Sequence, residues 1–252
     1  MKTNKILVNG CSYTYGIGVT EDFGAPERKD LCWAGVLGKK LDADVINLAQ
    51  PGSSNARILR STLAHLEKEQ PNLVIVMWSD AARLEFFRPQ DTEYDWQSMV
   101  QVTPQGVEMI KSWYHREAMQ NYFAFLHSKE KAVQDHLTAM IAVKYACEAL
   151  SIPCIQFQYK TNTYRSIDLI DNEYKKNKEV ATIKQMLDDL NLLRETLKGE
   201  HIFGIEEKIS FNDLREEAGY PDSPWSGGHP GVDAHSFMAD YFYDYIRQHD
   251  LI

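Results

Sequence analysis

The sequence predicts an α/β protein built on a mostly parallel sheet of about five strands with helices on both faces. Three observations lead there. Short continuous apolar runs recur along the 252 residues and are bounded by turn residues. Longer stretches with apolar side chains at helical spacing lie between them. The two patterns alternate, as strand–crossover–strand units do.

Ile6-Leu7-Val8-Asn9 is the first strand and Val45-Ile46-Asn47-Leu48 the second. Asn55 to Gln70 places Ile58, Leu59, Leu63 and Leu66 at helical spacing, and Pro71-Asn72 stops that helix before a third strand, Leu73 to Trp78. A helix from about Lys129 to Leu150, with Ala139, Ile141, Val143 and Ala146 as apolar positions, leads into a fourth strand, Pro153 to Phe157. His201 to Ile205 is a weaker fifth. Two regions break the alternation. Phe86 to His127 is rich in aromatic residues (Phe87, Tyr94, Trp96, Trp113, Tyr114, Tyr122, Phe123), so an insertion is expected at about 86–128. It could cap a site, pack against another subunit in a homo-oligomer, or simply supply core. Thr161 to Lys198 is polar, with a helix expected from Glu179 to Leu197 and charges that fit a solvated face. The whole reads as a single domain, 1–252.

Composition excludes several classes. With 44% hydrophobic residues the chain can bury a full core. A net charge of −9 without a Lys/Arg cluster argues against nucleic acid as a partner. Cys11, Cys32, Cys147 and Cys154 form no CxxC pair and have no histidine at ligand spacing, so neither a zinc site nor a disulfide framework is indicated. Reduced thiols in a cytoplasm are expected. No secretory signal pattern opens the chain, and no apolar run reaches membrane-spanning length.

The chemistry is expected at the carboxyl ends of the strands, where open parallel sheets bind ligands. Ser12, in Gly10-Cys11-Ser12-Tyr13-Thr14-Tyr15-Gly16, falls there. Its hydroxyl can be presented to a substrate while backbone N–H groups stabilise charge on a carbonyl oxygen; the bland alternative is a helix cap. His229, in a loop beside Pro230 and just before a helix whose inner face is Phe237, Met238, Phe242 and Ile246, is a poor core residue and a suitable general base. His235 lies within that helical pattern and reads as structural.

Together these stretches resemble the SGNH, or GDSL-like, hydrolase family. The first block matches at Gly10, Ser12 and Gly16, with Cys11 where the family has aspartate; the second matches at Asn47, Leu48 and Gly52; the last matches at His229, Pro230, His235 and Ala239. The resemblance implies the SGNH hydrolase fold, a three-layer α/β/α sandwich on a flavodoxin-like sheet. It further implies Ser12 as nucleophile, His229 as base, and the Ser12 and Gly52 N–H groups in the oxyanion hole. A small acyl ester would be the substrate, with a carbohydrate as one candidate carrier, and no metal or organic cofactor is needed.

Two positions depart from the family pattern. The acid expected three residues before the histidine is Ser226, with Asp222 nearby as a substitute. The Gly-x-Asn-Asp block after the third strand is Trp78-Ser79-Asp80-Ala81, which would aim a carboxylate at an oxyanion, so Ser79 or Asn55 becomes the candidate third donor. Arg57 and Arg83 could bind a substrate carboxylate or phosphate, or pair with Glu85 or Asp80. An esterase or deacetylase is the favoured reading. A non-hydrolytic binding or scaffold protein that keeps the fold is the alternative, and a lyase or transferase using the same acyl-enzyme is a third.

Overall fold

Three of the apolar runs become adjacent strands of a parallel sheet. In the computed structural model, which describes residues 4–86, 100–102, 113–160, 181–199, 201–203 and 210–252, β1 (Asn4–Asn9) lies between β2 (Ala43–Asn47) and β3 (Leu73–Trp78). β6 (Cys154–Gln158) extends the sheet beyond β3, giving the order β2-β1-β3-β6, all parallel. The expected fifth strand is reduced to a single parallel bridge, Ile202 to Gln156, closed by Gln156 N–H on His201 O and Phe203 N–H on Gln156 O. Residues 204–205 of that expectation lie outside the described residues.

Alternation along the strands divides the core into two layers. Ile6, Val8, Leu73, Ile75 and Met77 face one side, where α3 (Trp33–Leu41) and α9 (Val232–Gln248) bring Trp33, Leu37, Met238, Phe242 and Ile246. Leu7, Val74, Val76 and Trp78 face the other, against α4 (Asn55–Glu69), α6 (Lys129–Ala149) and α7 (Ala181–Leu197). Each large apolar side chain fully buried in this way contributes about 1.5–3 kcal/mol. Every residue of β3 is buried, which explains its unbroken apolar run, whereas β2 at the sheet edge is mostly half-exposed. Of the apolar positions expected on α6, Ala139 and Val143 are buried while Ile141 and Ala146 pack at its margin.

Several shorter elements escaped the sequence pattern. α1 (Ser12–Tyr15) and α2 (Arg28–Leu31) are single turns. β4 (Leu84–Phe86) pairs antiparallel with β5 (Val100–Val102), and α5 (Trp113–Phe125) precedes α6. Near the end of the chain, α8 (Phe211–Glu217) is followed by a hairpin of β7 (Asp222–Ser223) and β8 (Ser226–Pro230). His229 therefore sits within a strand rather than in the expected loop, because Ser226 and Pro230 on either side of it pair with Ser223 and Asp222 across a two-residue turn. Phe87, Tyr94 and Trp96 of the aromatic segment, and 161–180 of the polar one, lie outside the described residues. No described helix is long and apolar enough to cross a membrane.

Candidate active site

The strand order places β1 and β3 side by side, while the chain runs from β1 to β2 on one side and returns to β3 on the other. Such a reversal leaves a crevice at the carboxyl end of the central strand. Ser12 stands there, the first residue of α1 immediately after β1. The sharp turn depends on Gly10: a Cβ at that position would lie 2.2 Å from Thr14 Oγ1 and 3.0 Å from the Met77 carbonyl oxygen. Gly16 ends the turn at φ 91°, in the left-handed region. Cys11 is fully buried within the core, a setting that favours a thiol over the family's carboxylate.

Two contacts bring the C-terminal hairpin to this turn. The Tyr13 hydroxyl donates to the Gly228 carbonyl at 2.5 Å, and Ser12 Oγ lies 3.0 Å from His229 Nε2. Burial pushes the Tyr13 hydroxyl up to about 12, so it remains a donor. On the far side of the ring, His229 Nδ1 lies 3.1 Å from Ser226 Oγ. With Nε2 accepting from the serine hydroxyl, the ring proton is assigned to Nδ1 and is donated to Ser226. Burial lowers the His229 pKa from its ordinary value; the Gly227 carbonyl and Asp222 oppose that shift, while Arg83 and Lys160 add to it. The imidazole is thus neutral at pH 7, as a base must be.

Asp222 occupies a different place. Its Oδ2 accepts from Gly228 N–H at 3.1 Å and its Oδ1 pairs with Arg215, whose guanidinium hydrogen bond and charge hold the carboxyl below its usual range. It braces the hairpin and reaches His229 only through space.

Asn47 connects the second strand to the serine turn, donating to the Thr14 carbonyl at 3.1 Å and accepting from Ala49 N–H at 3.0 Å. The loop it anchors contains Gly52, at φ 76°. Among the described residues, neither the Ser12 nor the Gly52 N–H has a hydrogen-bond partner. Asn55, by contrast, is fully engaged: its Nδ2 donates to the Ser79 carbonyl at 3.1 Å and to His136 Nδ1 at 2.7 Å, and its Oδ1 accepts from Ser79 N–H at 2.8 Å. Complete burial lowers the His136 pKa to about 4, so the ring is neutral. With Nδ1 accepting, its proton lies on Nε2, 2.9 Å from Gln158 Nε2, so the Gln158 amide is assigned the flipped orientation in which its oxygen accepts that proton. Ser79 Oγ is buried without a hydrogen-bond partner. Asp80 accepts from Ala82 N–H and, through its carbonyl, from Arg83 N–H, so it shapes the turn after β3.

The arginines separate in role. Arg57 is buried and donates to Leu48 O and Ser53 Oγ, holding the loop before α4. Glu85 pairs with Arg60 through two bonds of 2.8 and 3.1 Å, not with Arg57 or Arg83. Arg83 turns the other way, its guanidinium carbon 5.5 Å from the centre of the Tyr159 ring. His235, fully buried, accepts from Trp33 N–H at 3.1 Å, a structural role. Among the described residues, no three His, Cys, Asp or Glu side chains gather as metal ligands.

Tyr13 and His136 belong to this site although the sequence pattern did not single them out. Tyr13 meets a partner 215 positions away, for which no local signal exists. His136 did carry a signal: it shares a helical face with Met140, Val143 and Cys147, and a histidine in a buried stripe needs polar partners.

In its overall course the chain is similar to a psychrotrophic esterase, EstA, from a Pseudoalteromonas species, in a structure inhibited by monoethylphosphonate, with 14% identity, a TM-score of 0.50 and 97% of each chain covered. It is also similar to TesA (13% identity, TM-score 0.49, covering 99% of this chain and 100% of that one). A third similar structure is a candidate lipolytic protein of the G-D-S-L family from Desulfitobacterium hafniense (13%, 0.48, 96% and 99%). The parallel sheet, its helical layers and the likeness to EstA define the class: this is the SGNH hydrolase fold in a divergent form. The chain belongs to a family of unknown function, DUF6071, whose model matches residues 19–252. That match begins beyond Ser12. No curated protein matches the sequence.

Proposed function

We propose that this protein is a serine hydrolase of the SGNH type that cleaves a small O-acyl ester through an acyl-enzyme on Ser12. One observation carries the reading: Ser12 Oγ and His229 Nε2 lie 3.0 Å apart at the crevice of the sheet. The pairing joins residues 217 positions apart, and burial favours the neutral imidazole that can accept a proton.

In this mechanism the His229 imidazole takes the Ser12 proton as Oγ attacks the ester carbonyl. The N–H groups of Ser12 and Gly52 stabilise the oxyanion, and the unpartnered Ser79 hydroxyl at the end of β3 is the candidate third donor. Asn55 is a poorer candidate, because its amide would have to abandon two bonds. The imidazolium returns its proton to the leaving alcohol, and the neutral imidazole then takes a proton from the water that hydrolyses the acyl-enzyme and releases the acid. Ser226 orients the ring through Nδ1, and Asp222 supplies a distant negative charge already shared with Arg215. A hydroxyl stabilises the imidazolium less than a carboxylate does, so a slow enzyme is expected.

That same feature favours a second reading, a binding protein that keeps the fold without turnover. Initial rates on 4-nitrophenyl acetate separate the two. Hydrolysis that is lost in both Ser12→Ala and His229→Ala supports the enzyme; equal rates in wild type and variants sink it.

A further inference from the structure

Among the described residues, Arg83 lies near the catalytic pair without a counter-ion. It follows β3 in a turn fixed by its own N–H on Asp80 O at 3.1 Å. Its guanidinium lies 5.5 Å from the Tyr159 ring centre; that ring is 5.1 Å from Tyr13, and Tyr13 is 5.4 Å from His229. Lys160 lies 5.6 Å from the same Tyr159 ring. Two cations thus flank one aromatic side chain at the rim of the site. Nη1 of Arg83 is buried without a hydrogen-bond partner, and no ion pair joins Arg83 to a described acid. Glu85, the near acid in sequence, is taken by Arg60.

A buried guanidinium N–H left unmade is costly, more so than a neutral donor, and no described residue supplies its partner. There is room for one. Arg83 also lines a cavity of about 320 Å³ with Leu59, His127 and the ion-paired Lys131 and Asp135, a volume at the lower end of small-molecule sites. Burial is the main cause that lowers the His229 pKa, and the charges of Arg83 and Lys160 add to it.

Resting on the hydrolase reading, we infer that Arg83 is a specificity-determining residue that binds an anionic group, carboxylate or phosphate, carried by the ester. Guanidinium geometry suits a planar carboxylate in two-point contact, and phosphate equally. The anion could lie on the acyl part or on the alcohol.

The test compares kcat/KM for 4-nitrophenyl acetate, its anionic counterpart 4-nitrophenyl hydrogen succinate, and 4-acetoxybenzoate, in which the carboxylate is on the alcohol. Wild type is expected to favour at least one anionic ester over the acetate. Arg83→Gln should reduce kcat/KM for that ester by about 10- to 100-fold, chiefly through KM, with a much smaller effect on the acetate. Arg83→Lys should retain part of the preference. A structural role would instead lower all three alike, and that result, or no anionic preference in wild type, overturns the inference. Calorimetric titration of succinate and of inorganic phosphate into wild type and Arg83→Gln requires no turnover. Arg83-dependent binding without ester cleavage would keep the anion site and remove the hydrolase; cleavage without it would do the reverse.

Discussion

Ser226 Oγ and His229 Nδ1 lie 3.1 Å apart, so a hydroxyl faces the ring nitrogen where the resembled family has a carboxylate. The replacement follows from the hairpin. Ser226 opens β8 opposite Ser223, and the near carboxylate, Asp222, is committed to Gly228 N–H and Arg215. Ser226→Asp should therefore place an acid on Nδ1 and raise kcat on a small ester by about tenfold or more. Ser226→Ala should lower kcat by a few-fold with little change in melting temperature. Steady-state kinetics of the two variants beside wild type checks both; a Ser226→Asp enzyme no faster than wild type would mean that orientation, not charge, governs the ring.

The pH profile has a definite sign. Burial favours neutral His229, so its pKa lies below the ordinary imidazole value. kcat/KM should then be level through pH 7 and fall only as acid protonates the ring below about 6.5. In Ser226→Asp the carboxylate favours the imidazolium, and the acidic limb should move to higher pH. A wild-type limb centred above 7 contradicts the assignment.

Acid should unfold the protein through two other histidines. His136 and His235 are fully buried, and burial lowers their pKa to about 4 and about 3. Above pH 6.5 both are neutral in folded and unfolded chains. As pH falls, only the unfolded chain takes up the proton, so stability is lost from about 6.5 down to the folded-state values, at up to about 1.4 kcal/mol per pH unit for each. Denaturant melts at pH 7 and pH 5 measure the loss, and His136→Gln should start less stable but lose less over that interval.

Asn55 holds Ser79, His136 and the end of β3 together. Asn55→Ala leaves buried donors and acceptors unmade and should cost about 2–4 kcal/mol, seen as a lower melting temperature. An oxyanion donor would behave differently: its removal would cut kcat by about a hundredfold or more and spare stability. Thermal melts and kcat on the same preparation distinguish the two.

Gly10→Ala would drive a methyl into Thr14 Oγ1 and the Met77 carbonyl, displacing the turn that carries Ser12. Activity should be lost before the fold. Pairing it with Thr14→Ala, which removes Oγ1 but leaves Thr14 Cβ at 2.8 Å and the Met77 carbonyl oxygen at 3.0 Å, should return part of the rate; no recovery would place the damage in those two remaining contacts.

The central strands were legible because all of β3 and most of β1 are covered on both faces, which leaves apolar runs that little else produces. The helices α4 and α6 were legible for a related reason, with Pro71 marking the end of the first; the Ser128 cap that starts the second, accepting from Lys131 N–H, is a structural finding. The β7–β8 hairpin was not. Its two strands, of 2 and 5 residues, carry glycine, serine and proline, and tertiary contacts such as Tyr13 to Gly228 hold them, not propensity. Among the described residues of the expected fifth strand, 201–203, Ile202 alone pairs with the sheet, which is why its signal was weak. Within the site, Ser12 and His229 were legible as motif residues. The engagement of Asn55 and Asp222 was not, because each is fixed by partners that spacing alone does not connect.

The central claim is that Ser12 is an activated nucleophile. Treating the folded protein with a fluorophosphonate and mapping the adduct by mass spectrometry tests it most directly. An activated Ser12 should yield a single phosphonylated peptide containing that residue, absent in Ser12→Ala and strongly slowed in His229→Ala. Wild-type protein that stays unmodified while fully folded, or that labels at the same rate without His229, would contradict it.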